Sequence, residues 1–412
     1  MKNQITSIIT TTLSILILIS CSPSENIIAT YINETKIAWT IQPTYTFYPT
    51  YEIRPTNTFY PTYTIQPETI KEITNIVIFT KTSTSTLTPT NVPTNVWATN
   101  GPSGGVISII EIDQKNPTTV FAGLCGKGLF KSTNGGLTWN KLEFDFDGNC
   151  VSDLAFDPGR PTTIFASAHF SLYKSIDGGE NWLKIKDTNF TNTGPFYFLA
   201  IDPKTPSTMY AYTNSKVYKS INSGIDWFKS NTGIPDNISS IDSIAIDPLT
   251  PTTLYVGGSF YCCGSAGSDG VLYKSTNGGD EWHELNYIFH DDNKISISID
   301  PKHPTTIYVG TFSGIFKSTN GGNSWFFINT GLTSTYIDTL AIDPLNPATL
   351  YAGTQNGGVN KSTNGGGNWF AVNVGFPQEE DIFSLAIDPV TPTTLYAGTD
   401  EGVYFIHQAH TT

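Results

Sequence analysis

One unit recurs seven times between Asp113 and Asp388, and this repetition constrains the fold more than any other feature. Each copy holds an apolar run, an Asp, a Pro turn and a second apolar run. The copies read DQKNPTTVFAG from Asp113, DPGRPTTIFAS from Asp157, DPKTPSTMYAY from Asp202 and DPLTPTTLYVG from Asp247. They continue as DPKHPTTIYVG from Asp300, DPLNPATLYAG from Asp343 and DPVTPTTLYAG from Asp388. The spacings are 44, 45, 45, 53, 43 and 45 residues. A second motif follows in six units: KSTNGGLTW from Lys131, KSIDGGENW from Lys174, KSINSGIDW from Lys219, KSTNGGDEW from Lys274, KSTNGGNSW from Lys317 and KSTNGGGNW from Lys361. The first unit carries four short strand signals, at Val106–Ile112, Thr119–Gly123, Gly128–Ser132 and Thr138–Leu142. Four strands in about 45 residues is the period of a propeller blade. A β-helix needs a shorter repeat, and a sandwich does not repeat this faithfully. The chain is therefore read as all-β, with one seven-bladed β-propeller of four-stranded blades. The 36 Gly and 25 Pro agree, because both are poor helix formers.

The ring must close. The seventh unit has three strands, ending near Gly402–His407, and no second motif. Upstream of the first unit lies Asn95-Val96-Trp97-Ala98-Thr99, with a Trp like the one that opens each fourth strand. The expectation is that this N-terminal strand completes blade seven and removes an exposed edge. The propeller then spans residues 95–407, with 408–412 as a tail. Charge narrows the partners. The chain has 22 Lys+Arg against 35 Asp+Glu, and from Gly101 onward 17 basic residues face 30 acidic ones. That excess argues against nucleic acid or an anionic lipid surface as partner.

The second motif resembles the Asp-box, or bacterial neuraminidase repeat, Ser-x-Asp-x-Gly-x-Thr-Trp. Asp177 keeps the acid, while Asn134, Asn222, Asn277, Asn320 and Asn364 replace it. Asn and Asp both hydrogen-bond nearby backbone and tolerate tight turns. Trp139, Trp182, Trp227, Trp282, Trp325 and Trp369 are then placed to pack between neighbouring sheets. A structural role is expected for these boxes and for the Asp-Pro turns, since one packing problem recurs in every blade. Propellers with such boxes include sialidases, oligoxyloglucan hydrolases, sortilin-type receptors and photosystem II assembly-factor-like proteins. Sialidases use three arginines on the substrate carboxylate; this chain has two, Arg54 and Arg160, and lysine is a poor substitute. The hydrolases use a cleft between two propellers, and one is present here. Photosystem assembly factors are expected to carry an Arg-rich surface, which this acidic propeller lacks.

Residues 1–20 read as a secretory signal, with Lys2 the only charge and an apolar run too short to span a bilayer. The run ends in Leu18-Ile19-Ser20-Cys21, which resembles a bacterial lipobox. That resemblance implies cleavage before Cys21, its lipidation, and anchoring at the cell surface or outer side of the membrane. Residues 21–94 form a Thr/Pro-rich linker in which Pro43, Pro49, Pro55, Pro61 and Pro67 recur every six residues. Six residues are two turns of polyproline II, so an extended or disordered stalk is expected.

The remaining chemistry is sparse. The six His are scattered, no pair has metal-ligand spacing, and the Gly-Gly pairs do not precede a helix. No catalytic residue, metal or cofactor is assigned. The informative surface is the face built from strand two–three loops and blade connections. Blade four departs there, with GGSFYCCGSAGSDG from Gly257 to Gly270. Phe260 and Tyr261 in that loop, Tyr287, Phe289, Asp291 and Asp292 nearby, and Phe144 with Asp145 are the candidate ligand-binding residues. Aromatic faces beside carboxylates suit neutral sugars, and equally suit a protein partner or a plugged channel. Cys125, Cys150, Cys262 and Cys263 are disulfide candidates, with Cys125–Cys150 expected to bridge on this face. The expected function is a surface-anchored, non-catalytic binding or assembly module for a glycan or protein. The alternative is a glycan-active hydrolase.

Overall fold

The computed structural model describes residues 94–409 except 145, 147–149, 169–170, 186–197, 214, 262–267, 290–293 and 378–379, together with the backbone of four strands nearer the N-terminus. Met1–Thr90 and Asn91–Thr412 form separate units. In the first, Ile27–Ile32 pairs antiparallel with Ile76–Lys81, and Ala38–Pro49 with Asn57–Glu68. Cys21 and the signal lie outside the described residues.

The second unit is a seven-bladed propeller of antiparallel blades, with strands in sequence order from axis to rim. The first blade holds Ile107–Ile112, Val120–Leu124, Gly128–Ser132 and Asn140–Lys141. The inner strands of the other blades are Val151–Asp157, Phe198–Ile201, Ser240–Ile246, Ser296–Ile299, Ile337–Ile342 and Ile382–Ile387. Each inner strand neighbours the next, and Ile382–Ile387 returns to Ile107–Ile112. Second strands are largely buried, wholly so in Ile307–Thr311 and Leu350–Thr354, because each is covered by a blade on either side. At Gly310 and Gly353 the next blade packs so closely that an added Cβ would meet the Ile337 and Ile382 Cγ2 at 2.6 and 2.7 Å.

Both repeated motifs are turns that satisfy their own backbone. The Asp at each first turn accepts two backbone N–H groups: Asp300 takes those of Lys302 and His303 at 2.8 and 3.0 Å, and Asp343 those of Leu345 and Asn346. In the second motif Ser318 Oγ accepts from Gly322 N–H at 2.9 Å and donates to Asn320 Oδ1, which itself accepts Ser324 N–H at 3.0 Å. An amide oxygen does this as well as a carboxylate, which explains why five Asn replace Asp. The motif Lys lies over the second-strand aromatic and reaches the same turn of the next blade. Lys274 sits 5.2 Å from the Tyr255 centroid and donates to Gly321 O at 3.0 Å; Lys317 does the same with Tyr308 and Gly365 O. One motif thus closes its own turn and clips two blades together, so its recurrence needs no ligand.

Blade seven has no such turn, and its closure differs accordingly. Ala98 pairs with Phe405, and Asn95 N–H donates to His407 O at 2.9 Å. Trp97 copies Trp369: its backbone N–H meets Val374 O at 2.8 Å, and its indole N–H meets Val372 O at 2.5 Å. Gln408 replaces the missing turn by accepting from Tyr351 Oη at 3.0 Å and from Lys361 Nζ. The N-terminal closure expected from the sequence is therefore present.

Candidate functional site

The inner strands build a cup-shaped cavity. In blades one, four, six and seven the register slips once near the start of the inner strand, at Ile107/Ile109, Ile241/Ser243, Ile337/Thr339 and Ile382/Ser384. Each slip is a β-bulge, in which the extra residue is left out of the ladder and its side chain is re-aimed. The extra residues are Ser108, Asp242, Asp338 and Phe383, and all four line one cup of about 700 Å³. Blade five pairs Ser296–Ile299 without a slip, and Lys294, just before that strand, joins the same wall. Ser240, Ser243, Thr339, Ser384, Tyr212 and Phe312 complete most of the lining. The volume lies in the ordinary range for a small-ligand site.

Side-chain oxygens at the next position, two Ser hydroxyls and the Asp153 carboxylate after a like slip at Ser152 in blade two, stitch neighbouring inner strands. Ser384 Oγ accepts from Ile110 N–H at 3.0 Å, Ser243 Oγ from Ile297 N–H at 3.2 Å, and Asp153 Oδ2 from Leu199 N–H at 2.7 Å. The cup walls are thereby held by interblade hydrogen bonds rather than by loops.

Its two carboxylates occupy the same bulge position two blades apart but differ in environment. Lys294 Nζ pairs with Asp338 Oδ1, and the Asp338 side chain is 9% exposed. Asp242 has Oδ2 buried with no hydrogen-bond partner among the described residues. Burial pushes Asp242 up to about 6, against hydrogen bonds from the Ser240 side chain and Ile295 N–H and the charge of Lys294. Toward the Asp-Pro turns a second cavity of about 310 Å³ is lined by Glu111 among Ile112, Leu340, Ile342 and Leu385. Burial, then the Asp153 carboxylate, pushes Glu111 up to about 8. Asp153 is raised to about 7 by burial.

The sequence-derived candidates fall elsewhere. Phe289 is 1% exposed and packs edge-on against Phe316 at 4.8 Å, so its ring belongs to the core. Phe144 packs against Phe146 and Tyr173 on the blade-two cluster. Phe260 lines a small cavity of about 170 Å³ with Pro235, Asn237, Ile238, Tyr273 and Glu284, separate from the cup. Asp145, Asp291, Asp292, Cys262 and Cys263, and the side chains of Tyr261 and Tyr287, lie outside the described residues. Cys125 and Cys150 are disulfide-bonded. Arg160 is committed to Asp157 at 3.0 Å. Among the described residues no three His, Cys, Asp or Glu converge to hold a metal.

No family model matches the chain. A xyloglucanase of Acetivibrio thermocellus is 32% identical over 108 residues, covering 20% of this chain and 13% of that protein. The crystal structure of a GH74 xyloglucanase from Xanthomonas campestris superposes with a TM-score of 0.61 at 15% identity, covering 76% of this chain and 53% of that one. The structure of YCF48 bound to D1 peptide superposes with a TM-score of 0.56 at 13% identity, covering 76% of this chain and 97% of that one. These likenesses define a seven-bladed propeller shared by GH74 xyloglucanases and YCF48. The chain spans about half the length of the xyloglucanase structure and a small fraction of the curated relative.

Proposed function

We propose that this propeller acts on glycans, taking a neutral polysaccharide segment into the axial cup. The observation that carries the reading is the pair of bulge carboxylates held in unlike environments within one cavity. Such a split assigns an acid and a base. Asp242, raised to about 6, keeps a protonated fraction near neutral pH and donates to the glycosidic oxygen. Asp338, ion-paired with Lys294, receives the proton of the attacking water. Water is thus added across the C–O bond, and the two carboxyls return to their starting states by exchange with solvent. The partial likeness to xyloglucanases supports this reading over a purely passive one. The test is reducing-end release from xyloglucan oligosaccharides by the wild type and Asp242→Asn. Turnover that falls at least 100-fold in the variant, with binding kept, supports it. Binding with no products from the wild type refutes the hydrolytic step.

A second reading, a non-catalytic binding or assembly module, is favoured by one observation. The propeller superposes on nearly the whole of YCF48, whose structure holds a bound D1 peptide. In either case we place the protein outside the cytoplasm, tethered through lipidated Cys21. The Cys125–Cys150 disulfide supports an oxidising compartment.

A further inference from the structure

The cup has an aromatic extension over the seam between blades five and six. Phe312, in the strand two–three turn of blade five, lines the cup wall. Tyr336, in the connection to blade six, meets Phe312 edge-to-face with centroids 5.4 Å apart. Tyr336 is 49% exposed, whereas Tyr210, Tyr255, Tyr308, Tyr351 and Tyr396 are each at most 3% exposed. The buried tyrosines pack between blades; Tyr336 has no such task. Its position is nevertheless fixed. Gln355 N–H donates to Tyr336 O at 2.9 Å, and Tyr336 N–H donates to Ser334 Oγ at 3.3 Å, tying the connection to the neighbouring turn of blade six. Beside this pair stands the Lys294–Asp338 ion pair, with Lys294 40% exposed.

We propose that Phe312 and Tyr336 form a stacking subsite for a pyranose ring, so that the site takes at least two consecutive neutral sugar units, one in the cup and the next on the seam. The proposal deepens the glycan reading above and rests on it. A pyranose with equatorial hydroxyls has an apolar C–H face and a hydroxyl edge. An aromatic pair meets the face. A Lys donor and an Asp acceptor meet the edge. Because Lys294 and Asp338 compensate each other, that pair gives no net attraction to a charged sugar. Backbone anchoring of Tyr336 reduces the ordering cost of binding. Taken to be as strong as an aromatic pair, such stacking gives roughly 2- to 13-fold in affinity.

The experiment is calorimetric titration of the full chain with β-1,4-linked glucose oligosaccharides of one to four units. The wild type is expected to gain roughly 2- to 13-fold in affinity from one unit to two. Tyr336→Ala should abolish that gain and leave the one-unit affinity unchanged, and Tyr336→Phe should retain it. Both variants change a half-exposed side chain, and unchanged melting temperatures check their folding. A length gain that survives Tyr336→Ala, or is lost equally in Tyr336→Phe, overturns the stacking subsite while leaving the glycan reading intact. Failure of every oligosaccharide to bind the wild type overturns both.

Discussion

Ring closure rests on few contacts, and Trp97→Ala removes the central one. Trp97 is 2% exposed and packs in a cluster with Tyr351, Val359, Leu395 and Ile406. Its ring stacks on Phe376 at 4.6 Å. Truncating a buried Trp costs about 3–5 kcal/mol in lost burial and cavity. The Val372 carbonyl loses its indole donor as well, at about 1 kcal/mol more. The sum, about 4–6 kcal/mol, is a large part of the stability of a typical domain. For a propeller of this size it corresponds to a fall in melting temperature of roughly 6–9 °C. Calorimetry or circular dichroism of the full chain reads it directly. Trp97→Phe should recover most of the packing but not the hydrogen bond. Two deletions separate closure from packing. Removing residues 22–94 should leave the melting temperature nearly unchanged, and removing residues through Thr99 should destabilise or aggregate the propeller by opening an edge. A shift below about 2 °C for Trp97→Ala, or equal stability of the two deletions, would refute the closure argument.

Three further outcomes are expected. Reducing Cys125–Cys150, which closes a loop with a sequence separation of 25, should cost about 3.5 kcal/mol by chain entropy; Cys125→Ser/Cys150→Ser matching the oxidised wild type in denaturant midpoint would contradict this. Glu111 is raised to about 8 in the folded state, above its unfolded value near 4.3, so the stability it confers is complete below about pH 4 and is lost as pH rises through 8. Glu111→Gln should flatten that decline in a melting series from pH 4 to 9, and an unchanged slope would count against it. Gly310→Ala places a Cβ 2.6 Å from Ile337 Cγ2, so it should destabilise by about 1–3 kcal/mol, with the double variant Ile337→Ala costing less than the sum.

The blade count and the turns were legible because each depends on local chemistry repeated in six or seven units, and the closing strand because the seventh unit lacks its fourth strand. An Asp followed by Pro or by a small polar residue, and a Ser two residues before Asn-Gly, specify their own hydrogen bonds wherever they occur. The site was not legible for a matching reason. Asp242, Asp338 and Phe383 sit inside strands whose alternation reads as ordinary wall. What aims them at the axis is a one-residue slip, which depends on how the partner strand pairs. The aromatic connections were read as binding loops from composition. Phe289 and Phe144 instead fill space beside Trp325 and Tyr173, where the blade-end aromatics complete the core. Tyr336 carried no signal in the sequence, being one Tyr among 20. Its exposure emerges only beside the buried tyrosines that pack between blades.

The most direct measurement is a crystal structure of the chain with a neutral β-glucan oligosaccharide bound. Sugar density is expected in the axial cup, between Asp242 and Phe312, with Lys294 and Asp338 at a hydroxyl edge. Sugar held at the Phe260 cavity or on the outer rim, with the cup holding only water, would contradict it.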